Sequence, residues 1–200
     1  MGKLALAQQE KAWKHCEKCG LCSERRCVVF GNGVIPCEVL LCGEAPGEAE
    51  DILGQPFVGM AGRLLRYEIL PQAIALCGPF TVYITNLVAC VPWEHKLSCK
   101  VRDPSKEEIE VCSPRLVTIF KGVTPKIVVT LGELAGKWVP KILDIKMGKP
   151  YLLKLPHPAA IARSKTQSQR SFLVRQCAVR LSSIVIHARE MEKSNATSHR

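Results

Sequence analysis

Four short apolar runs, separated by segments of helical periodicity, constrain the fold of this chain most. They are residues 37–42 ("CEVLLC"), 80–85 ("FTVYIT"), 126–131 ("KIVVTL") and 151–155 ("YLLKL"). Runs of this length with apolar residues at successive positions belong to strands covered on both faces. Between them lie helical patterns at 59–70, from 106 to 120, from 133 and at 171–190, with a further short helix at 4–18. Ser105 and Glu108 have the spacing of a capping box, and Pro114 predicts a bend or interruption in the helix that follows. Strands alternating with helices predict an α/β fold, a three-layer sandwich around a mostly parallel central sheet. Two hundred residues suit one core. Residues 1–192 therefore read as a single domain and 193–200 as a flexible polar tail.

A parallel sheet binds its ligands beyond the carboxyl ends of its strands. The loops at 43–58, 86–93 and 156–165 each follow a predicted strand, so they are expected to meet along one edge. The stretch 86–105 has no clear periodicity and reads as a long excursion from the layers.

The apolar runs are too short to cross a membrane, and the first residues lack the apolar core of a secretory signal. A cytoplasmic protein is expected. Net charge is +10 and unevenly placed: residues 1–112 hold 12 Lys and Arg against 14 Asp and Glu, residues 113–200 hold 16 against 4. A C-terminal half so basic suits a polyanion, nucleic acid above all.

Eleven cysteines without an export signal point to metal or cluster ligation rather than a disulfide framework. "HCEKCGLC" supplies Cys16, Cys19 and Cys22, and a C-x2-C pair can turn both thiolates to one centre. Cys90 and Cys112 are the natural further ligands, for zinc or for an iron–sulfur cluster. Cys42, Cys77 and Cys177 sit in apolar runs and read as small buried residues. Cys22, Cys27, Cys37 and Cys99 stay open.

The stretch 40–65, "LLCGEAPGEAEDILGQPFVGMAGRLL", crowds Glu44, Glu48, Glu50 and Asp51 into a glycine-rich loop. A nucleotide phosphate loop is excluded, because no G-K-[ST] follows and the acids would repel the phosphate. Asp51 could cap the turn.

With these residues in place, the chain resembles the family 4, iron–sulfur uracil-DNA glycosylases. "GEAPGEAEDILGQPFVGMAGRLL" is similar to the family's first active-site motif, and "HPAA" at 157–160 to its second. "YITNLVAC" and "EEIEVCSP" resemble the segments bearing its later cluster cysteines, and the N-terminal C-x2-C with "RRCVVFGNG" its opening. The likeness runs from about residue 12 to about residue 180. Three features depart from the pattern: "HPAA" lacks the usual Ser, "FGNGVIPCEVLL" is compact, and "VPWEHKLSCKVRDP" adds His95 and Cys99.

The resemblance implies hydrolysis of the N-glycosidic bond of uracil in DNA, leaving an abasic site. It makes Cys16, Cys19, Cys90 and Cys112 the ligands of a structural [4Fe–4S] cluster, ahead of zinc, with Cys22 competing. Breaking this bond leaves a cationic sugar and an anionic base, so the pocket must accept a flipped-out base and stabilise both charges. His157 would donate to uracil O2. Asn86 would donate to O4 and accept from N3–H, the reverse of what cytosine presents. Phe57 would stack on the base, as shelf or core plug or both, with Ala45 and Gly47 in the same wall. Glu44 and Glu50 would support the sugar cation or orient water, Glu44 ranking slightly ahead. Arg163, Lys165 and Arg170 would hold phosphates, and Ile161 is a guess for the side chain filling the vacated stack. The implied partner is uracil-containing DNA, single- or double-stranded, for a monomer without a membrane and with a sliding clamp as a conceivable accessory. The rivals are a related glycosylase of different or broader lesion range and a non-catalytic cluster-bearing DNA-binding relative.

Overall fold

The computed structural model describes residues 3–95, 100–145 and 150–197. The strands form where the apolar runs predicted them, within one or two residues. They are β2 (Val39–Gly43), β3 (Val82–Asn86), β6 (Ile127–Leu131) and β7 (Tyr151–Leu155). A two-residue strand, β1 (Asn32–Gly33), adds antiparallel to β3, giving the order β1-β3-β2-β6-β7 with β3, β2, β6 and β7 parallel. The expected mostly parallel α/β sandwich is therefore the fold observed.

β2 and β6 are buried along their whole length, which is why neither alternates. Successive side chains still point to opposite faces. Val39, Leu41, Ile127 and Val129 enter one core, whereas Leu40, Cys42 and Val128 enter the other. The first core is closed by α4 (Leu70–Cys77) and α8 (Gln167–Thr197), the second by α1 (Lys3–Trp13), α5 (Lys106–Val123) and α6 (Glu133–Ile142).

Several boundaries differ from expectation. α1 ends at Trp13 rather than 18. The predicted helix at 59–70 runs on as α3 (Met60–Leu64), a π-helical stretch (Leu65–Ile69) and α4. Pro71 has no N–H for the Tyr67 carbonyl, and the widened turn lies just before it. α5 is not interrupted at Pro114. The Ser113 hydroxyl donates to the Glu110 carbonyl at 2.8 Å, the acceptor that proline leaves unpaired. The capping box is present: Ser105 Oγ accepts the Glu108 N–H at 3.2 Å and Glu108 Oε2 accepts the Ser105 N–H at 2.7 Å. α8 carries helix through Thr197, so residues 193–197, expected in a loose tail, are helical. No Gly or Pro occurs after residue 158 to end it. Residues 198–200 lie outside the described residues, as does Cys99.

The excursion after β3 holds a small hairpin, β4 (Trp93–His95) with β5 (Lys100–Val101). The loop after β2 holds a short helix, α2 (Glu48–Leu53), and the second motif forms α7 (Pro158–Ala162). No helix among the described residues is long and apolar enough to cross a membrane.

Candidate active site and cysteine site

The loops after β2, β3 and β7 do meet at one edge. They line a cavity of about 420 Å³ with Glu44, Ala45, Gly47, Glu50, Phe57, Asn86, His157 and Arg163 in its wall. All eight were singled out in the sequence. The rim segment Val101–Pro104, from the exit of the hairpin, was not, because the excursion carries no local pattern that aims it. Glu108 pins that rim by accepting from Arg102 at 2.7 and 2.9 Å, and this ion pair holds the Glu108 carboxyl below its ordinary range.

Glycines allow the walls to close. A Cβ on Gly43 would lie 2.4 Å from Asn86 Oδ1 and 2.6 Å from Phe57 Cζ, so the amide and the ring both close over the bare backbone. Gly132, at φ +98°, does the same after β6: a Cβ there would meet Glu44 Oε1 at 2.3 Å and His157 Cβ at 3.3 Å. Glu44 and His157 thus flank one glycine.

The two carboxylates separate by their partners. Glu50 accepts three backbone N–H groups, Gly47 at 3.0 Å and Val58 and Gly59 at 2.8 Å each, so its oxygens clamp the two ends of the 47–59 loop together. Glu44 accepts only the Leu134 N–H among the described residues, at 3.3 Å, and burial raises its carboxyl above the usual range. Nearby Asp103 and Glu133 add to the rise. Asp51 does not cap its own turn; it is 1% exposed and accepts the N–H groups of Arg26 and Cys27 at 2.9 and 3.2 Å. It ties the cysteine-bearing N-terminal segment to α2.

Glu50→Gln replaces one acceptor with a donor facing a donor. It is expected to cost about 2 kcal/mol, the usual worth of a charged hydrogen bond. A melting curve should show this as a fall in Tm of about 4–8 °C for a chain of this size. An unchanged Tm would remove Glu50 from its clamping role.

His157 precedes α7 and its Nδ1 accepts the Ala159 N–H at 3.2 Å. An accepting Nδ1 carries no proton, so in the neutral ring the proton is on Nε2. Burial, then the charge of Arg163, lowers the histidine from its ordinary value, with Glu50 opposing. The ring is kept neutral near pH 7 and retains one donor for a ligand.

Phe57 is 5% exposed and belongs to the first core while lining the cavity, so shelf and plug are one residue. Its φ of 55° is unusual for a non-glycine residue. Arg66 holds it there, donating to the Phe57 and Pro56 carbonyls at 3.1 and 3.0 Å. Asn86 is 1% exposed, and its Oδ1 has no hydrogen-bond partner among the described residues. A buried polar atom left unpaired costs about 1–3 kcal/mol, so its presence in a cavity wall calls for a ligand donor.

The basic residues divide. Arg163 is exposed at the cavity, and Lys165 is exposed in the adjoining groove with Met60, Arg63 and Arg170. Arg170 is ion-paired with Glu68 and is half-buried, so its charge is already partly neutralised. Ile161 is 1% exposed and packs in the core, which rules it out as a side chain entering DNA. The face of α7 toward the sheet claims it. Met60 is 74% exposed where cavity and groove meet.

Cys16, Cys19, Cys90 and Cys112 line one second, smaller cavity with Trp13, Leu21, Val28 and Val88; Cys22 does not border it. Among the described residues no three His, Cys, Asp or Glu side chains converge as a single ion would require. The four thiols are spread over the cavity lining, with Arg25 and Glu108 beside them. Burial pushes the Cys90 thiol up to about 12, so it would ionise at neutral pH only beside a strong positive charge. Cys42 and Cys177 lie in the cores and Cys77 packs against one, as small apolar residues do.

A family model described as the uracil DNA glycosylase superfamily matches residues 30–178. The chain is also similar to proteins named type-4 uracil-DNA glycosylase. The one from Saccharolobus solfataricus is 40% identical over 134 residues, 67% of this chain and 58% of its own length. That from Pyrobaculum aerophilum is 36% identical over 168 residues, 75% of this chain and 81% of its own. That from Archaeoglobus fulgidus is 35% identical over 163 residues, 73% and 77%.

Proposed function

We propose that this chain, which belongs to the uracil DNA glycosylase superfamily, hydrolyses the N-glycosidic bond between uracil and deoxyribose in DNA and leaves an abasic site. The observation that carries this reading is the buried Oδ1 of Asn86 in the cavity wall, which has no partner among the described residues. Uracil N3–H supplies the missing donor, and cytosine, with an unprotonated N3, does not.

Each neighbour then has a task. The base, extruded from the stack, lies against Phe57. His157 donates from Nε2 to O2 as the bond breaks and negative charge gathers there. Glu44 is the carboxylate with capacity to spare; ionised, it favours the cationic sugar and orients water toward it. Glu50 shapes the loop through its three amides, and Ala45 and Gly47 form the wall beside it. Arg163 and Lys165 meet phosphates next to the flipped nucleotide, Arg170 less so. Met60, rather than Ile161, fills the space the base vacates.

The cysteine site fits a [4Fe–4S] cluster better than zinc, because four thiols around a cavity suit four irons with one sulfur each, whereas zinc gathers its ligands about a point. Cys16, Cys19, Cys90 and Cys112 would hold it, and its iron–thiolate bonds would tie the N-terminal segment to the exit of β3 and to α5.

Incubation with single-stranded and duplex oligonucleotides bearing one uracil, followed by alkaline cleavage of abasic sites, tests the reading. Cleavage at uracil and not at thymine is expected, and no cleavage of either substrate by metal-loaded protein rejects it.

The pH dependence identifies the carboxylate. Since Glu44 must be ionised and burial raises its pKa, the acid limb of kcat/KM should lie above the ordinary glutamate value near 4.3. It should vanish in Glu44→Gln, with most of the rate. Stability moves the other way. A raised folded-state pKa contributes stability below the unfolded value and loses it as pH rises through the folded one. Glu44→Gln should therefore melt no lower than the parent at pH 7. A limb that survives in Glu44→Gln excludes Glu44.

A further inference from the structure

We infer that Arg115 couples the cysteine site to the base pocket, so that metal binding and uracil recognition strengthen one another; this rests on the function proposed above. Arg115 is completely buried on α5, one turn after Cys112. Its guanidinium reaches in two directions. Nε donates to Cys112 Sγ at 3.5 Å. The other two nitrogens donate to the Phe30 carbonyl at 2.7 Å, Thr85 Oγ1 at 2.9 Å, and the Asn86 and Leu87 carbonyls at 2.5 and 3.1 Å. One rigid planar group therefore spans a thiol of the second cavity and the backbone of the residue whose amide lines the first.

Charge makes the connection more than geometric. A buried cation is costly unless paired, and the acceptors of Arg115 among the described residues are carbonyls, a hydroxyl and a sulfur, none of them a carboxylate. Cys112 as a metal-bound thiolate supplies the negative charge that neutral oxygens cannot. With the thiolate in place the guanidinium is held, and with it the Asn86 and Leu87 carbonyls at the end of β3. Without it the guanidinium has lost its anionic partner, and the position of Asn86 is less defined. The planar fork is needed for this span, so lysine is not an equivalent. Arg115 is thus a positioning residue that touches no substrate.

Such coupling is reciprocal: whatever orders Asn86 must also hold the metal. The test uses metal-loaded protein, a chelator, and a single-stranded oligonucleotide whose uracil sits on a 2′-fluorinated sugar that resists cleavage. The same oligonucleotide with thymine is the control, and metal release is followed by absorption and metal analysis. In the parent protein the uracil oligonucleotide is expected to slow release by about 2- to 30-fold relative to the thymine one, the usual span for residues that carry coupling. Arg115→Lys should abolish that difference. Thr85→Val, which removes a single acceptor, should reduce it, and serves if Arg115→Lys does not fold. Equal release with uracil and thymine in a parent protein that excises uracil overturns the coupling and leaves the function standing. Full protection retained in Arg115→Lys, or in Thr85→Val where Arg115→Lys does not fold, overturns the role of Arg115. Failure of the parent to excise uracil removes the function and the coupling together.

Discussion

His157→Ala is expected to lower kcat for uracil excision by about 10²–10³-fold, the cost of removing one donor from a developing oxyanion. The loss follows from the state in which the ring is held. Nδ1 is committed as an acceptor to the Ala159 N–H, leaving Nε2–H as the donor in the neutral form. Burial and Arg163 keep the ring in that form. A histidine whose folded-state pKa is lowered favours folding above its unfolded value near 6.5 and loses that contribution as pH falls through the folded value. At neutral pH the donor is therefore a neutral imidazole, and the activity should show no limb from His157 near pH 6.5. Because the uncharged donor acts mainly as charge appears on O2, kcat should fall far more than KM rises. A rate within tenfold of the parent, measured on single-turnover time courses with a uracil oligonucleotide, would remove His157 from the chemistry.

Asn86→Asp should change which base is cut. A site built to hydrogen-bond its substrate rejects an analogue with the wrong pattern by about 10⁴–10⁵-fold, and this substitution takes that discrimination away. Asn86 is 1% exposed, so a carboxyl there is pushed up by burial and is partly protonated. Protonated, it donates to cytosine N3 and accepts from the cytosine amino group. Ionised, it repels uracil O4. Excision of cytosine should appear and rise as pH falls, while excision of uracil drops by about 10²-fold or more. Parallel time courses on uracil and cytosine oligonucleotides over a pH series measure both. An unchanged ratio of the two bases would show that Asn86 does not read the base.

The legible part of this protein was local. β2, β3 and β6 could be read from short apolar runs because their burial on both faces leaves an unbroken stretch of sequence, and β7 from a short run although its exposure alternates at the sheet edge. The capping box at Ser105 and Glu108 was legible for the same reason, its partners being three residues apart. Glu44, Asn86 and His157 stood out because each sits at or just beyond a strand end in a motif of specific order, and Phe57 because it lies in the same motif as Glu44; the parallel sheet then brought those strand ends to one cavity.

What the chain alone left undecided was the direction of side chains that meet across long separations. In the sequence Glu44 ranks only slightly ahead of Glu50. Folding gives Glu50 to the amides of residues 47, 58 and 59, and leaves Glu44, among the described residues, with the single Leu134 N–H, 90 residues away. Ile161 follows one motif and Met60 lies within the other, yet α7 turns the first into the core and the start of α3 holds the second at the cavity mouth. Arg115 belongs to no motif that would mark it in the sequence. Only the packing of α5 behind β3 buries it, between a thiol three residues away and a carbonyl 85 residues away. Hydrophobic periodicity determines which elements form, because burial is a property of each segment. Which polar group each buried charge meets is set by the assembled layers, because those partners come from elements that are neighbours only in space.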